Sequence, residues 1–237
     1  MTVSFSTSAS TGASASLSAS AASAPSVDVL VISKAQIVLA RLELERVGAE
    51  CTSEEAAGDD NPHGDDDSCA ELELAPSVVD LPVNGSVATA LNVTVPAGTY
   101  SSFEAKIRPV DTNRGHNGAG SAAFLAAHPD LAGVSVRVEG TFNGKPFVYR
   151  GSPRTDLESS FNPPLTVTSA GANITVNVDL ARWFKTASGA FIDPATGNAG
   201  GTNANLVAAN IRQSFRAFRD DDRNGRDDHG EHGAGHP

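Results

Sequence analysis

A chain of 237 residues, 40% apolar and 5% aromatic, is long enough for one large β domain, or for one domain with appendages, and carries enough apolar mass for a core. Its net charge of −11 comes from two short segments: Thr52–Ser68 holds seven acids and no base, and Asp220–Pro237 holds six acids against Arg223 and Arg226. The rest of the chain is neutral, with 15 acids against 15 bases, no basic cluster supplies a nucleic-acid footprint, and no apolar run is long enough for a transmembrane segment.

Thr2–Thr7 alternates Val3 and Phe5 with hydroxyl residues and reads as a short first strand. Ser8–Ser26 is almost entirely Ser, Ala, Gly and Thr, which predicts a flexible linker because so little apolar bulk cannot offset the entropy of ordering. Its alanines leave a helical alternative. Val27–Ile32 and Gln36–Val47 resume apolar character. In the second run Val38, Ala40, Leu42 and Leu44 fall on one strand face with Arg41, Glu43 and Glu45 opposite, although the same residues have good helix propensity. After the acidic segment, Ala70–Leu74 and Val78–Val83 read as strands, and Asn84-Gly85 signals a hairpin turn.

The stretch Leu81–Ile107 carries the clearest pattern. Leu91, Val93 and Val95 alternate with polar residues, Pro96-Ala97-Gly98 breaks the run, and Phe103, Ala105 and Ile107 alternate again, predicting two half-buried strands joined by a tight turn. A glycine-rich loop, Asp111–Gly120, precedes a helical turn at Ser121–Ala127. Val134–Glu139 and Pro146–Arg150 flank Asn143-Gly144 as a second hairpin; Leu165–Thr168 and Ile174–Leu180 flank Ala170–Asn173 as a third. Lys185–Thr202 is a loop. From Asn205 to Arg219 the period changes: Val207, Ile211, Phe215 and Phe218 form one helical stripe, suited to covering a sheet face or open edge.

Successive turn-bounded strands without strand–helix alternation predict an all-β fold, an antiparallel β-sandwich with a C-terminal amphipathic helix and flexible tail. The organisation that follows is a short strand and Ser/Ala-rich linker over 1–26, a sandwich domain with an acidic Cys51–Cys69 loop over 27–202, and a helix with an acidic, His-rich tail over 203–237.

The segment VPAGTY (Val95–Tyr100) leading into an alternating strand, preceded by LELERVG and ELELAPSVVDLPV, resembles bacterial exported domains of unknown function, often lipoproteins. RVEGTFNGKPFVYRG and ITVNVDLARWF carry the same likeness, which spans Val27 to Leu180. The resemblance implies a transthyretin-like or related Greek-key sandwich in the cell envelope or outside a bacterial cell, with no catalytic residues to carry over. The chain departs from that pattern in having no lipidation cysteine near its start and no visible export signal.

The sharpest chemical motif is C-terminal. Asp220-x-Asp222-x-Asn224-Gly225 followed by Glu231 matches the EF-hand calcium loop at its keyed positions. Hard cations take oxygen ligands from alternating residues of a loop turned sharply by glycine. Asp220, Asp222 and Asn224 would bind through side chains, Arg226 through its carbonyl, Asp228 through water and Glu231 bidentately. Asp227 stands where an apolar residue is usual, no exiting helix can form in the six residues after Glu231, and no second EF-hand exists to pair with. A helix ending at Arg219 would crowd acids against the negative end of its dipole, a conflict that Ca2+ would relieve beyond what Arg216 and Arg219 already do. The competing reading is a solvated polar tail.

Cys51 and Cys69 bracket the other acidic segment. A disulfide between them would stabilise the fold by roughly 3 kcal/mol and imply an oxidising compartment; two unpaired thiols are the alternative. Asp59, Asp60 and Asp65–Asp67 could form a second cation site but lack a defined ligand spacing. His229, His232 and His236 are suited to transition metals, as His-rich ends generally are. His116 and His128 share a loop region with Asp111 and Asp130, without an indicated nucleophile. Trp183 and Phe184 fit a core plug better than an exposed ligand platform. No zincin, nucleophile-elbow, Walker or dinucleotide motif occurs.

These features predict a non-enzymatic, secreted or cell-envelope binding or structural module with Ca2+ as its cofactor and a protein or polysaccharide at the cell surface as its partner. A carbohydrate- or surface-polymer-binding module would show exposed aromatics on one sheet face. A hydrolase would show convergent carboxylates or histidines in a deep pocket. A further possibility is a subunit that assembles by donating Thr2–Thr7 across the linker.

Overall fold

The computed structural model describes residues 1–7, 28–47, 75–84, 86–92, 94–111, 118–169, 171–220, 222 and 224–226. Its strands are β1 (Thr2–Thr7), β2 (Leu30–Arg46), β3 (Ser77–Leu81), β4 (Val87–Asn92), β5 (Gly98–Ile107), β6 (Val136–Phe142), β7 (Lys145–Gly151), β8 (Thr155–Val167), β9 (Asn173–Val178) and β10 (Phe215–Arg219). Helices α1 (Gly118–Ala127), α2 (Leu180–Trp183) and α3 (Ala204–Arg212) lie between them. The strands form two sheets, a smaller one in the order β10-β9-β1-β4 and a larger one in the order β7-β6-β2-β5-β8, with β3 also paired to β2. β1 runs parallel to β9; the other ladders are antiparallel. Val3, Phe5, Ile174 and Val176 from the smaller sheet share one buried apolar cluster with Ile37, Leu42, Leu44, Phe103 and Leu165 from the larger. The predominantly β, two-sheet character expected from the alternating runs is therefore present.

Within β2 the apolar phase changes. Ala35, Ile37, Leu39, Leu42 and Leu44 join the main core, whereas Val38 joins a second cluster with Val110, Phe124 and Leu131 under α1. A register shift against β5 lies between Leu39 and Arg41. An inserted residue moves every later side chain to the opposite phase, so the expected single row Val38–Ala40–Leu42–Leu44 is split across two faces.

Of the expected hairpins, the one at Asn143-Gly144 forms. Asn143 (φ 51°) and Gly144 (φ 75°) are both left-handed, the type I′ geometry that suits a two-residue connection, and β6 and β7 pair from Phe142–Lys145 onward. The other turn signals join strands of different sheets. Asn84 lies between β3, paired to β2, and β4, paired to β1. Its Oδ1 accepts from the Ser86 backbone N–H at 3.2 Å, so the chain does turn there. Pro96-Ala97-Gly98 returns the chain from β4 to β5 in the larger sheet, and Ala170–Asn173 takes it from β8 to β9 in the smaller. Turn residues reverse or bend the backbone locally; they do not choose the partner of the strand that follows.

The C-terminal helix is shorter than its stripe predicts. Val207 and Ile211 anchor α3, but Phe215 and Phe218 belong to β10, the edge strand beside β9. Phe215 and Ala217 pack on the main core, opposite Val178 and Val176, while Phe218 lies opposite Thr175. Ser214 makes the break: its hydroxyl donates to the Ile211 carbonyl at 2.7 Å and accepts from the Trp183 indole at 2.6 Å. Backbone hydrogen bonds to β9 then replace those of a further helical turn. Trp183 and Phe184 are fully buried and serve as the core plug. Among the described residues, no helix is long and apolar enough to cross a membrane.

Candidate functional site

β10 delivers its last residues to the top of β9, where Arg219 pairs with Ile174 and the Asp220 N–H reaches the Asn173 carbonyl at 3.4 Å. The chain then folds back on the Asp220 carboxylate, which is fully buried. Its Oδ1 accepts from Asn224 N at 2.9 Å; its Oδ2 accepts from Gly225 N at 2.9 Å and from Thr175 Oγ1 at 2.6 Å. Asp222 supports the same turn, its Oδ1 accepting from Asn224 N at 3.0 Å and its Oδ2 from the Asn224 side-chain amide at 2.7 Å. Asn224 Oδ1 accepts from Arg226 N at 2.7 Å. Gly225 is left-handed (φ 80°), and a Cβ there would lie 2.8 Å from Val87 Cγ2, so both conformation and space demand glycine.

Below this loop is a row of buried polar groups. Asn173 donates to the Asp220 carbonyl at 2.8 Å and to Thr175 Oγ1 at 3.1 Å, while its Oδ1 accepts from Thr2 Oγ1 and Ser4 Oγ, both at 2.8 Å. Hydrogen bonds thus run without interruption from the hydroxyls of β1 to the carboxylate that holds the loop. Buried carboxylates are usually paired with a basic side chain. Among the described residues Asp220 accepts only from neutral donors, and no lysine, arginine or histidine forms an ion pair with it.

Four of the expected cation ligands, Asp220, Asp222, Asn224 and Arg226, are therefore gathered in one turn. Asp228, Glu231 and the tail histidines lie outside the described residues, as do Cys51, Cys69, the acidic segment between them and His116. Among the described residues, no group of three or more His, Cys, Asp or Glu side chains is arranged to hold a metal. Oxygen atoms are the ligands that hard cations take. Among the described residues, two donors reach Asp220 Oδ2 and one reaches Oδ1. The expected entering helix is replaced by a strand, so the helix-dipole argument for a cation falls away and burial of the charge takes its place.

Sequence reasoning missed Asn173, Thr175 and Ser4. They occupy the polar phase of alternating strands, which reads as solvent-facing. A hint lies in composition: hydroxyl and amide side chains, rather than charges, fill that phase in β1 and β9, as befits a face that is to be covered.

A second concavity, of about 610 Å3, opens between α1 and the outer side of β2, β3 and β6. It brings His128 and Asp130 beside Asp80, Lys34 and Arg137. Its carboxylates are engaged, Asp80 by Gln36 at 2.8 Å and Asp130 by Arg137 at 3.0 Å. Ser77 also lines the cleft, but no hydrogen bond joins it to His128, so the geometry assembles no activated nucleophile. The large apolar side chains exposed among the described residues are Val29, Val31, Val47, Val83, Val148 and Leu206, without an aromatic platform for a sugar ring.

Comparison with protein-family models, with curated proteins and with solved structures finds no match to this chain.

Proposed function

We propose that this protein is a β-sandwich of the cell envelope or extracellular space that acts as a non-catalytic binding or structural module, with Ca2+ held by the loop Asp220–Glu231. The observation that carries this reading is the fully buried Asp220 carboxylate, which has no basic partner among the described residues, at the first position of an oxygen-rich loop turned by Gly225. A bound cation would balance that charge. Asp220 Oδ1, Asp222, Asn224 and the Arg226 carbonyl would supply oxygens from the described turn, and Asp228 and Glu231 would complete the set. Calcium so placed would tie the end of the chain to β9 and β1, presenting an ordered acidic surface to a protein or polysaccharide partner.

Calorimetric Ca2+ titration of the chelator-treated full-length protein tests the site directly. Heat saturating near one equivalent is expected, with a dissociation constant of about 10⁻⁴ to 10⁻³ M, the range of extracellular modules. Asp222→Asn and Glu231→Gln should each weaken it severalfold. No heat up to millimolar Ca2+ would remove calcium from the function, and equal heat in wild type and both variants would move the site to another acidic segment.

A further inference from the structure

β1 fills an interior slot of the smaller sheet that is closely matched to its own sequence. Along one edge it pairs in parallel with β9 from Thr2–Asn173 to Thr7–Val178; along the other it pairs antiparallel with β4 from Thr2–Asn92 to Ser6–Val87. Val3 and Phe5 enter the main core, at 0% and 1% exposure. On the opposite face Thr2 and Ser4 donate to Asn173 Oδ1, and Ser6 Oγ accepts from the Asn177 amide at 2.9 Å. The Thr7 hydroxyl donates to the Pro82 carbonyl. Removing β1 would break the smaller sheet into β4 and the β9–β10 pair, leaving a groove one strand wide that reads an alternation of hydroxyl and apolar residues.

The covalent link from this strand to the rest of the fold is long and compositionally loose. Twenty residues, 8–27, separate Thr7 from Asp28, and Leu17 is the one large apolar residue in Ser8–Ser26. A chain of twenty residues can reach at most about 70 Å. Every contact that seats β1 in its own slot is equally available to the β1 of another copy.

We infer that the β4–β9 slot is a strand-exchange interface whose partner is a second copy of this chain, each copy lending Thr2–Thr7 to the other. The exchange leaves the contacts of both slots unchanged, so it costs association entropy and nothing in packing. The balance between self-insertion and exchange is then set by protein concentration against the effective concentration of the tethered strand, which falls as the tether lengthens from about millimolar for the shortest linkers. This inference does not depend on calcium.

The test mixes two full-length chains, one carrying Thr2→Cys and the other Asn92→Cys, in chelator, after they have been unfolded and refolded together. Peptide mapping by mass spectrometry then looks for a disulfide between position 2 of one chain and position 92 of the other, which distinguishes it from any bridge made by Cys51 or Cys69. The expected result is an interchain 2–92 bridge whose yield rises about tenfold per tenfold rise in concentration below the millimolar range. Native mass spectrometry of the wild-type chain treated in the same way should show a dimer whose fraction rises with the protein concentration at refolding. Monomers at every concentration overturn the proposal, and so do dimers in which positions 2 and 92 are not joined. Ca2+ binding without exchange would leave the calcium reading standing; exchange without Ca2+ binding would do the reverse.

Discussion

Glu43 shows how a charge on the sheet is balanced. It stands on β2 with its side chain 12% exposed, against Arg41 on its own strand and 3.5 Å from Lys106 on β5. Burial nevertheless pushes its carboxyl above the ordinary 4.5; the Arg41 and Lys106 charges offset only part of that loss of hydration, and neighbouring Glu104 adds to it. A folded-state value above the unfolded one means that the folded chain holds a proton over a window in which the unfolded chain has released it. Stability therefore falls as pH rises from 4.5 through the folded value. Glu43→Gln has no proton to release, so it should flatten that fall while changing neutral-pH stability by about 1 kcal/mol or less. Thermal midpoints taken in small pH steps across the window check this, and an unaltered slope would assign the linkage to another group. The charged row Arg41, Glu43 and Glu45 is legible in the sequence as a polar face. The cross-strand neighbours Glu104 and Lys106 are not, because they depend on the register set by the bulge after Leu39.

Between elements, the junction of α3 and β10 turns on one hydroxyl. Ser214 receives the Trp183 indole N–H in the core, donates to Ile211, and offers its backbone carbonyl to Asp179 N at 2.9 Å. Ser214→Ala would leave the buried indole without an acceptor, and such a loss costs about 1–3 kcal/mol. Denaturant unfolding followed by the emission of this lone tryptophan should show a lower midpoint with an unchanged slope; a midpoint within error of wild type would mean that the indole finds another acceptor. The stripe Val207–Ile211–Phe215–Phe218 shows why the junction was hard to read. Spacings of four and three satisfy a helix, yet Phe215 and Ala217 equally satisfy a strand at period two, and only β9's open edge decides between them. Turns divide in the same way. Asn143-Gly144 was legible in full because its two strands belong to one sheet. Asn84-Gly85, Pro96–Gly98 and Ala170–Asn173 gave the turn but not the sheet switch, since pairing partners are fixed by the shared core. The loop motif from Asp220 was visible as spacing; its buried support on Asn173 and Thr175 was hidden in the polar phase of β9.

For the molecule as a whole, the repeated crossing between sheets bears on cooperativity. The chain begins in the smaller sheet, passes to the larger for β2 and β3, returns for β4, crosses again for β5 to β8, and comes back for β9 and β10. Neither sheet is a continuous piece of sequence, and Val3, Phe5, Ile174, Leu42 and Phe103 share one buried cluster. Two sheets that share strand connections and one core cannot melt separately without exposing that core, so the described fold should unfold as one unit. Phe5→Ala, made in the smaller sheet, is expected to cost about 3–5 kcal/mol, the range for a large aromatic removed from a core. Far-ultraviolet circular dichroism, dominated by both sheets, and Trp183 emission should then shift together to the same lower midpoint. A biphasic dichroism curve, with the second phase at the wild-type midpoint, would show that the larger sheet stands without the smaller. The sequence supports this expectation only in outline: alternation places Phe5 on an apolar face, but its share in a common core follows from β1 lying between β4 and β9. That placement makes a short strand at the far end of a Ser/Ala-rich linker an integral part of the fold.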